Sequence, residues 1–308
     1  MKISNRLRRG AALLGAILLA FSGCGAKTGN AVTSVSHQSE QGCFEIPEFQ
    51  DASFHQELAE NFGSVQVDTS ALSQGVVAVR AESASRMKFQ IVCGENKYNY
   101  DIVSGEPAVL PLNMADGSYT FRLMEQVADS KYACTWSQTY WVTMADEYQP
   151  FLRPSQLVSY NRDSRCVAKA RELAAACDTD AEVASAIYSY LVDHIRYDKR
   201  KAATVQSGYL PMPDETLDTG KGICFDYASL AAAMLRSLGI PCKLITGYVG
   251  QETYHAWNSF YLQEQGWVTV EIRVVPNSWQ RVDITFAASG TPTDKLTDDT
   301  LYTTRYIY

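Results

Sequence analysis

The sequence lacks three features that would assign it to common classes of protein. No basic stripe runs along the chain, whose formal net charge is −7, so we expect neither nucleic acid nor anionic lipid at a charged face. Eight cysteines occur without a CxxC pair or a Cys/His cluster, so we expect no zinc site. No apolar run reaches the roughly 20 residues that a permanent membrane-spanning helix needs.

The N-terminus has the order of an export signal. Basic residues, among them Arg8 and Arg9, precede a short apolar stretch over residues 11–21. The stretch ends at Ser-Gly-Cys24, which resembles the lipobox of bacterial lipoproteins. An ordinary secretory signal with a chance cysteine is the alternative. We therefore predict a signal peptide over residues 1–23 and an extracytoplasmic protein anchored to the membrane through lipidated Cys24.

Composition and periodicity divide the rest of the chain into three parts. Residues 24–43 contain few large apolar side chains and are predicted to be a flexible tether. Over residues 44–150, short β-like runs alternate with turn signals, which predicts an all-β sandwich, with an immunoglobulin-like fold as one candidate. Beyond Pro150 the period changes to 3.6, and helices followed by strands predict an α+β domain over residues 151–308. The tyrosine-rich segment 302–308 fits either a closing strand or a frayed end.

One predicted helix has a clear start and one histidine. Thr179 and Glu182 have the spacing of a capping box, in which each side chain bonds the other residue's backbone N–H. Because His194 lies within the apolar stripe that follows, we interpret it as a packed helix residue and not as a catalytic one. The apolar positions of the stripe are Val183, Ile187, Leu191 and Ile195.

Six cysteines remain once Cys24 and Cys224 are set aside. Cys93 and Cys134 both lie in strand-like runs, so they are the pair we would choose for a disulfide. Cys166 and Cys177 lie on one helical pattern over residues 163–177, about 16 Å apart along its axis and too far to bridge. We favour the interpretation that most of the six are small buried apolar residues.

The most informative segment is Gly220–Ala228. It places Cys224 after a glycine turn and at the start of an amphipathic helix. A thiol in that position faces the positive end of the helix dipole, which favours the thiolate. Downstream, His255 lies in a strand-like run and could complete a thiolate–imidazolium pair.

Three segments together resemble the bacterial transglutaminase-like superfamily, which shares the architecture of papain-like cysteine proteases. They are Gly-x-Cys-x-Asp-Tyr-Ala at 222–228, Leu-Arg-Ser-Leu-Gly-Ile-Pro at 235–241 and His-Ala-Trp-Asn at 255–258. The resemblance covers the chain from about Pro150 to its C-terminus. It implies a Cys–His–Asp triad with Cys224 as nucleophile and His255 as general base and acid, and no metal or cofactor.

The third member of the implied triad has two candidates. The superfamily places an aromatic residue four positions before the acid, and the chain repeats that spacing in Trp267–Glu271 and Trp279–Asp283. The residues after Asp283, Ile-Thr-Phe, keep the threonine and the aromatic residue of the superfamily motif but lose its proline, whereas the residues after Glu271 match nothing. We choose Asp283 and interpret residues 267–278 as a hairpin excursion. Glu271 is then a solvated charge on a strand.

The resemblance implies a thiol enzyme that acts on amide bonds of peptides or proteins through a thioester acyl-enzyme. With the N-terminal signal, this predicts an exported, lipid-anchored enzyme at the cell surface. Hydrolysis and transamidation pass through the same thioester, so both remain open. One alternative is a non-catalytic binding or scaffold module that keeps the fold. Another is that the sandwich docks on cell wall or protein while the C-terminal domain supports it. The sandwich carries no catalytic constellation, so we interpret it as a spacer or binding module.

Overall fold

Two sheet-containing regions make up the part of the chain that the structure describes. The computed structural model describes residues 42–249, 253–270 and 302–308, which belong to one compact unit. Residues up to 142 supply a β-rich region, and later residues supply five helices and a second set of strands. This order confirms the predicted α+β class with a β-rich region preceding the helices.

The first region is a sandwich of two four-stranded antiparallel sheets. Its strands are β1 (Glu60–Asn61), β2 (Val65–Asp68), β3 (Val76–Ala81), β4 (Met87–Cys93), β5 (Asn96–Ile102), β6 (Pro107–Pro111), β7 (Gly117–Ala128) and β8 (Lys131–Val142). One sheet has the order β1-β2-β3-β6 and the other β5-β4-β7-β8. The chain crosses between the sheets three times, after β3, after β5 and after β6, so consecutive hairpins do not account for the whole topology.

Alternation along the strands explains why the two sheets face each other. On β7, Tyr119, Phe121 and Leu123 are buried, and the residues between them are only partly covered. They share one core with Phe89 of β4 and Val79 of β3, which belong to different sheets. A period of two with one buried face is the pattern that a strand in a two-layer sandwich requires.

The second region packs helices against an antiparallel sheet. Its helices are α1 (Arg165–Ala174), α2 (Asp180–His194), α3 (Lys199–Thr204), α4 (Pro213–Thr219) and α5 (Cys224–Ser237), and its strands are β9 (Arg196–Tyr197), β10 (Lys221–Gly222), β11 (Cys242–Val249), β12 (Thr253–Leu262), β13 (Gly266–Val270) and β14 (Tyr302–Ile307). The larger sheet has the order β13-β12-β11-β14. Helix α5 lies against β11 and β12 and is buried along most of its length. None of the described helices has both the length and the apolar character to span a membrane.

Helix α2 starts largely as its sequence predicts. The Thr179 side chain accepts from the Glu182 N–H at 3.2 Å, but the Glu182 carboxylate bonds the Asp178 N–H at 2.7 Å rather than that of Thr179. The apolar stripe of α2 is buried as predicted. His194 is exposed, stacks on Tyr190 with ring centroids 4.2 Å apart, and so is not packed into the core.

The disulfide predicted between Cys93 and Cys134 is wrong. All seven cysteines in the described ranges are free thiols. Strand β7 lies between β4, which carries Cys93, and β8, which carries Cys134. Cys93 faces Tyr119, which in turn faces Tyr140 on β8, six positions from Cys134. The offset is about 20 Å along the strand, far beyond the reach of a disulfide.

The remaining cysteines divide by burial. Cys166, Cys177 and Cys242 are buried, as expected for small apolar side chains, whereas Cys43 and Cys134 are exposed. Helix α1 ends at Ala174, three residues before Cys177. The helix predicted over residues 163–177 is therefore too long, and Cys177 lies beyond its end.

The C-terminal segment is a closing strand. Strand β14 pairs antiparallel with β11, and the register shifts between Thr246 and Gly247. A Cβ atom at Gly247 would lie 2.1 Å from the main-chain oxygen of Thr303, so glycine is required where the two strands approach. This close approach brings residues 302–308 beside the strands that carry the candidate site.

Candidate active site

A glycine turn delivers Cys224 to the first position of α5. Gly220 ends α4 with a φ of 59°, in the left-handed region that favours glycine. The next two residues form β10, which pairs in parallel with β9. A Cβ atom at Gly222 would lie 2.7 Å from the Cβ of Asp226, so the turn also needs glycine there. Cys224 is consequently half-buried at the positive end of α5, as the sequence predicts.

His255 reaches the same cleft from β12. It lies opposite Gly247 of β11, and it lines a cleft of about 760 Å³ together with Cys224. Trp257, two residues along the same face, is 4% exposed and belongs to the interior of the domain. Its ring lies 6.4 Å from that of His255 at an angle of 19°, so it also covers one side of the imidazole.

Asn258 ties the cysteine helix to the histidine strand. Its side-chain amide is buried and donates to the main-chain oxygen of Ala228 at 3.0 Å, on α5. The same nitrogen donates to the main-chain oxygen of Lys243 at 3.2 Å, on β11. One buried side chain therefore connects three elements, two of which carry Cys224 and His255, and holds their spacing.

An ionic network centred on buried Asp226 lies in the first turn of the helix that Cys224 begins. Asp226, which is 0% exposed, accepts from the Ile223 N–H at 2.8 Å and so caps the start of α5. The same carboxylate accepts from Lys201 Nζ at 2.8 Å and from the Tyr209 hydroxyl at 2.5 Å. Since isoleucine has no side-chain oxygen, the capping box is only half formed. The network clamps α3 and the loop after it against the start of the cysteine helix.

The pKa values of Lys201, Tyr209 and the nearby Tyr197 are all raised, which fixes their protonation states at neutral pH. Burial lowers the pKa of Lys201, but the hydrogen bonds to Asp226 and Tyr209 outweigh it and leave the pKa above its usual value. Burial, and next the hydrogen bond to Asp226, raises the pKa of Tyr209 to about 12. Burial and the neighbouring Cys224 raise the pKa of Tyr197, which lies opposite Gly222. Lys201 is thus charged, and both tyrosines keep their protons.

The β-sandwich forms one wall of the cleft. Lys88 of β4 and Asn99, Tyr100 and Asp101 of β5 line it with Cys224 and His255. Hydrogen bonds hold this wall in place: the Gln156 N–H donates to the Val109 oxygen at 2.8 Å, and the Gln156 side chain donates to the Asp101 main-chain oxygen at 2.7 Å. The sandwich is therefore part of the cleft, a role that its sequence does not reveal.

The structure brings together two of the predicted site residues. Cys224 and His255 share the cleft, whereas Asp283, Glu271 and Cys24 lie outside the described residues. Within the described ranges, no group of three or more His, Cys, Asp or Glu side chains could hold a metal ion.

The Asp226 network could not be predicted from the sequence. Its only sequence signal is an acidic residue between Phe225 and Tyr227, in an otherwise apolar run. Lys201 and Tyr209 are distant enough along the chain that no local pattern links them to it.

The same region matches a known family. The family model of the transglutaminase-like superfamily matches residues 167–272, which include Cys224, His255 and all of α5. The chain carries a transglutaminase-like domain.

Curated relatives of this domain have different names. A protein-glutamine gamma-glutamyltransferase from Pseudomonas aeruginosa is 31% identical over 104 residues, which cover 30% of this chain and 15% of the relative. The kyphoscoliosis peptidase of Homo sapiens is 35% identical over 96 residues, which cover 28% of this chain and 14% of the relative. The chain therefore spans about one seventh of the length of these relatives.

Solved structures resemble the chain more weakly. A crystal structure of a TGase aligns with a TM-score of 0.32 and 18% identity, over 42% of this chain and 35% of that one. Red sea bream transglutaminase aligns with a TM-score of 0.26 and 12% identity, over 64% of this chain and 47% of that one. At these scores the likeness supports no conclusion about substrate or activity.

Proposed function

We propose that this protein is an exported, lipid-anchored thiol enzyme that cleaves or transfers amide bonds of peptides or proteins through a thioester. The observation that supports the proposal is the joint placement of Cys224, at the start of α5, and His255, on β12, in one cleft of a transglutaminase-like domain. A nucleophile at a helix start with an imidazole in the same cleft is the arrangement that covalent acyl transfer uses.

In the proposed reaction His255 holds the proton of the Cys224 thiol, and the thiolate sulfur attacks the amide carbonyl carbon. The carbonyl electron pair moves to oxygen, where the Cys224 backbone N–H at the helix start stabilises the charge. Collapse of this intermediate breaks the C–N bond, and the imidazolium gives its proton to the departing amine. Water or a second amine then attacks the thioester while His255 accepts its proton, and the C–S bond breaks to restore the thiolate.

Hydrolysis and transamidation differ only in the acceptor that attacks the thioester. The names of the two curated relatives, a gamma-glutamyltransferase and a peptidase, correspond to these two outcomes. Both outcomes stay within the proposed function, because the steps up to the acyl-enzyme are shared.

A peptide library tests the function directly. We expect incubation with peptides that carry Gln, Asn and ordinary amide bonds, with and without a primary amine, to give new product masses that identify deamidation, cleavage or crosslinking. The Cys224→Ala variant should give none of them. If wild type and Cys224→Ala give the same products or no products, the enzyme proposal fails and the scaffold alternative is favoured.

The acid of the triad is a separate part of the proposal. We propose Asp283, whose carboxylate would orient the imidazole and stabilise its charged form. Asp283→Ala should therefore lower turnover strongly, while Glu271→Ala should leave it close to that of wild type. Both variants remove one carboxylate four residues after a tryptophan, so each is the matched control of the other. The reverse pattern of turnover would assign the role to Glu271.

We also propose that the mature protein begins at lipidated Cys24 outside the cytoplasm. The support is the order of basic residues, short apolar stretch and Ser-Gly-Cys at residues 2–24. Mass spectrometry of the mature N-terminus tests this, and an unmodified terminus at another residue would contradict it.

A further inference from the structure

The charged side chains along the cleft are mostly cationic, in a protein that is acidic as a whole. Apart from Cys224 and His255, the charged groups that line it among the described residues are Lys88, Asp101 and Arg305. The chain carries a net charge of −7, so its overall field repels anions. The charge that lines the cleft is therefore opposite in sign to the net charge of the protein.

Asp101, the one acidic side chain among the described residues that line the cleft, is already paired with two cations. Asp101 accepts from Arg86 at 2.8 Å and from Lys88 at 3.5 Å. One negative charge between two positive ones leaves a net positive group on the sandwich wall. The partial exposure of Lys88 and Asp101 lets this charge act on molecules in the cleft.

The second cation comes from the opposite region of the protein. Arg305 lies on β14 and donates to the hydroxyl of Tyr248 at 3.2 Å, a partner that carries no charge. It is exposed, and Tyr306 and Tyr308 of the same strand also line the cleft. The cleft thus has a cation on the sandwich side and another on the sheet that carries His255.

We infer that this cleft selects substrates with a negatively charged group, such as a carboxylate, near the reacting amide, and that Lys88 and Arg305 determine that specificity. The inference rests on the proposed function, since it assigns a substrate class to the same site. Anionic peptides would be attracted to the cleft by these two side chains, and cationic peptides would be repelled.

Two alkylating reagents measure this selectivity without a known substrate. Iodoacetate and iodoacetamide both form an S–C bond to a thiol and release iodide, but only iodoacetate is an anion. We would measure the rate of each at Cys224 in the whole protein by peptide mass spectrometry. A small uncharged thiol, N-acetylcysteine amide, supplies the reference ratio of the two rates, because Cys134 lies close to Lys88 across β7 and would feel the same charge.

The iodoacetate to iodoacetamide ratio should be higher at Cys224 than at the reference thiol. Lys88→Ala and Arg305→Ala should each lower the Cys224 ratio about two- to threefold, a scale set by the effect of one unit charge in water at separations of about 7–10 Å. Added salt should shrink the difference because it screens exposed charges. Lys97→Ala and Arg171→Ala remove exposed cations that do not line the cleft and should leave the ratio unchanged. Lys88→Gln serves in place of Lys88→Ala if the latter does not fold.

Equal ratios at Cys224 and at the reference thiol, or a Cys224 ratio unchanged by both cleft variants, would overturn the inference. Iodoacetamide alone separates this failure from failure of the proposed function. At pH 6 an ordinary thiol, with a pKa of about 8.5, is mostly protonated. We expect Cys224 to react faster than free cysteine there, and His255→Ala to remove the advantage. A slow, His255-independent rate would count against the enzyme, whatever the charge ratio shows.

Discussion

Asp226→Ala is expected to lower the free energy of unfolding by about 3–5 kcal/mol, the usual cost of breaking a buried ion pair by removing one partner. The wild-type carboxylate receives bonds from Lys201, Tyr209 and the Ile223 N–H, and alanine leaves all three donors without it. Alanine also removes the cap at the start of α5. The loss should therefore be global, and it should also disturb the position of Cys224.

Denaturant unfolding and the rate of Cys224 alkylation by iodoacetamide are the two measurements. Asp226→Asn keeps an acceptor for the Ile223 N–H and should lose less stability than Asp226→Ala. Asp193→Ala removes an exposed carboxylate of α2 and should change stability by no more than about 0.5 kcal/mol. If Asp226→Ala were as stable as Asp193→Ala, the network would contribute nothing to the fold.

The pH dependence of the same variants follows from the raised pKa values of Lys201 and Tyr209. The folded state holds their protons more tightly than the unfolded state does, so this stabilisation is complete below pH 10, the ordinary value for tyrosine. It is lost as the pH rises through the folded-state values, about 12 for Tyr209. The stability difference between wild type and Asp226→Asn should therefore be the same at about pH 7 and about pH 9 and shrink above about pH 10.

Local signals account for the features that the sequence predicts well. The start of α5 at Cys224, the cap at Thr179 and the strand that carries His255 each depend on a few adjacent residues. A glycine turn, a capping threonine and alternating apolar residues act through the backbone nearby, so their consequences can be derived without the tertiary fold.

The features that the sequence does not reveal depend on contacts between distant segments. Lys201, Tyr209 and Asp226 meet only because α3 folds back on α5. The sandwich wall of the cleft depends on how two regions dock, and the Cys93–Cys134 prediction failed because strand order, not strand content, sets their separation. Strand-like character alone says nothing about which strands are neighbours.

Arg236→Ala is the second variant for which we expect a large effect, about 3–5 kcal/mol of lost stability. Arg236 of α5 is 1% exposed and donates to three main-chain oxygens, those of Arg153 at 2.9 Å, Cys242 at 2.8 Å and Tyr308 at 2.9 Å. These acceptors lie before α1, at the start of β11 and just after β14. The guanidinium therefore joins α5 to β11, to the end of β14 and to the segment that follows the sandwich.

Arg236→Met separates the hydrogen bonds from the volume of the side chain. Burial lowers the pKa of Arg236, which shows that the protein interior opposes its charge. Methionine carries no charge, so it avoids the cost of burying one, and it fills much of the space. Each of the three main-chain oxygens, however, loses the hydrogen bond that it accepted from the guanidinium. If the bonds outweigh the desolvation cost, Arg236→Met should lose about 1–3 kcal/mol and Arg236→Ala more. Amide hydrogen exchange should then accelerate more in β14 than in α2, because α2 does not depend on the arginine. A methionine variant as stable as wild type, with unchanged exchange in β14, would mean that volume alone explains the alanine result.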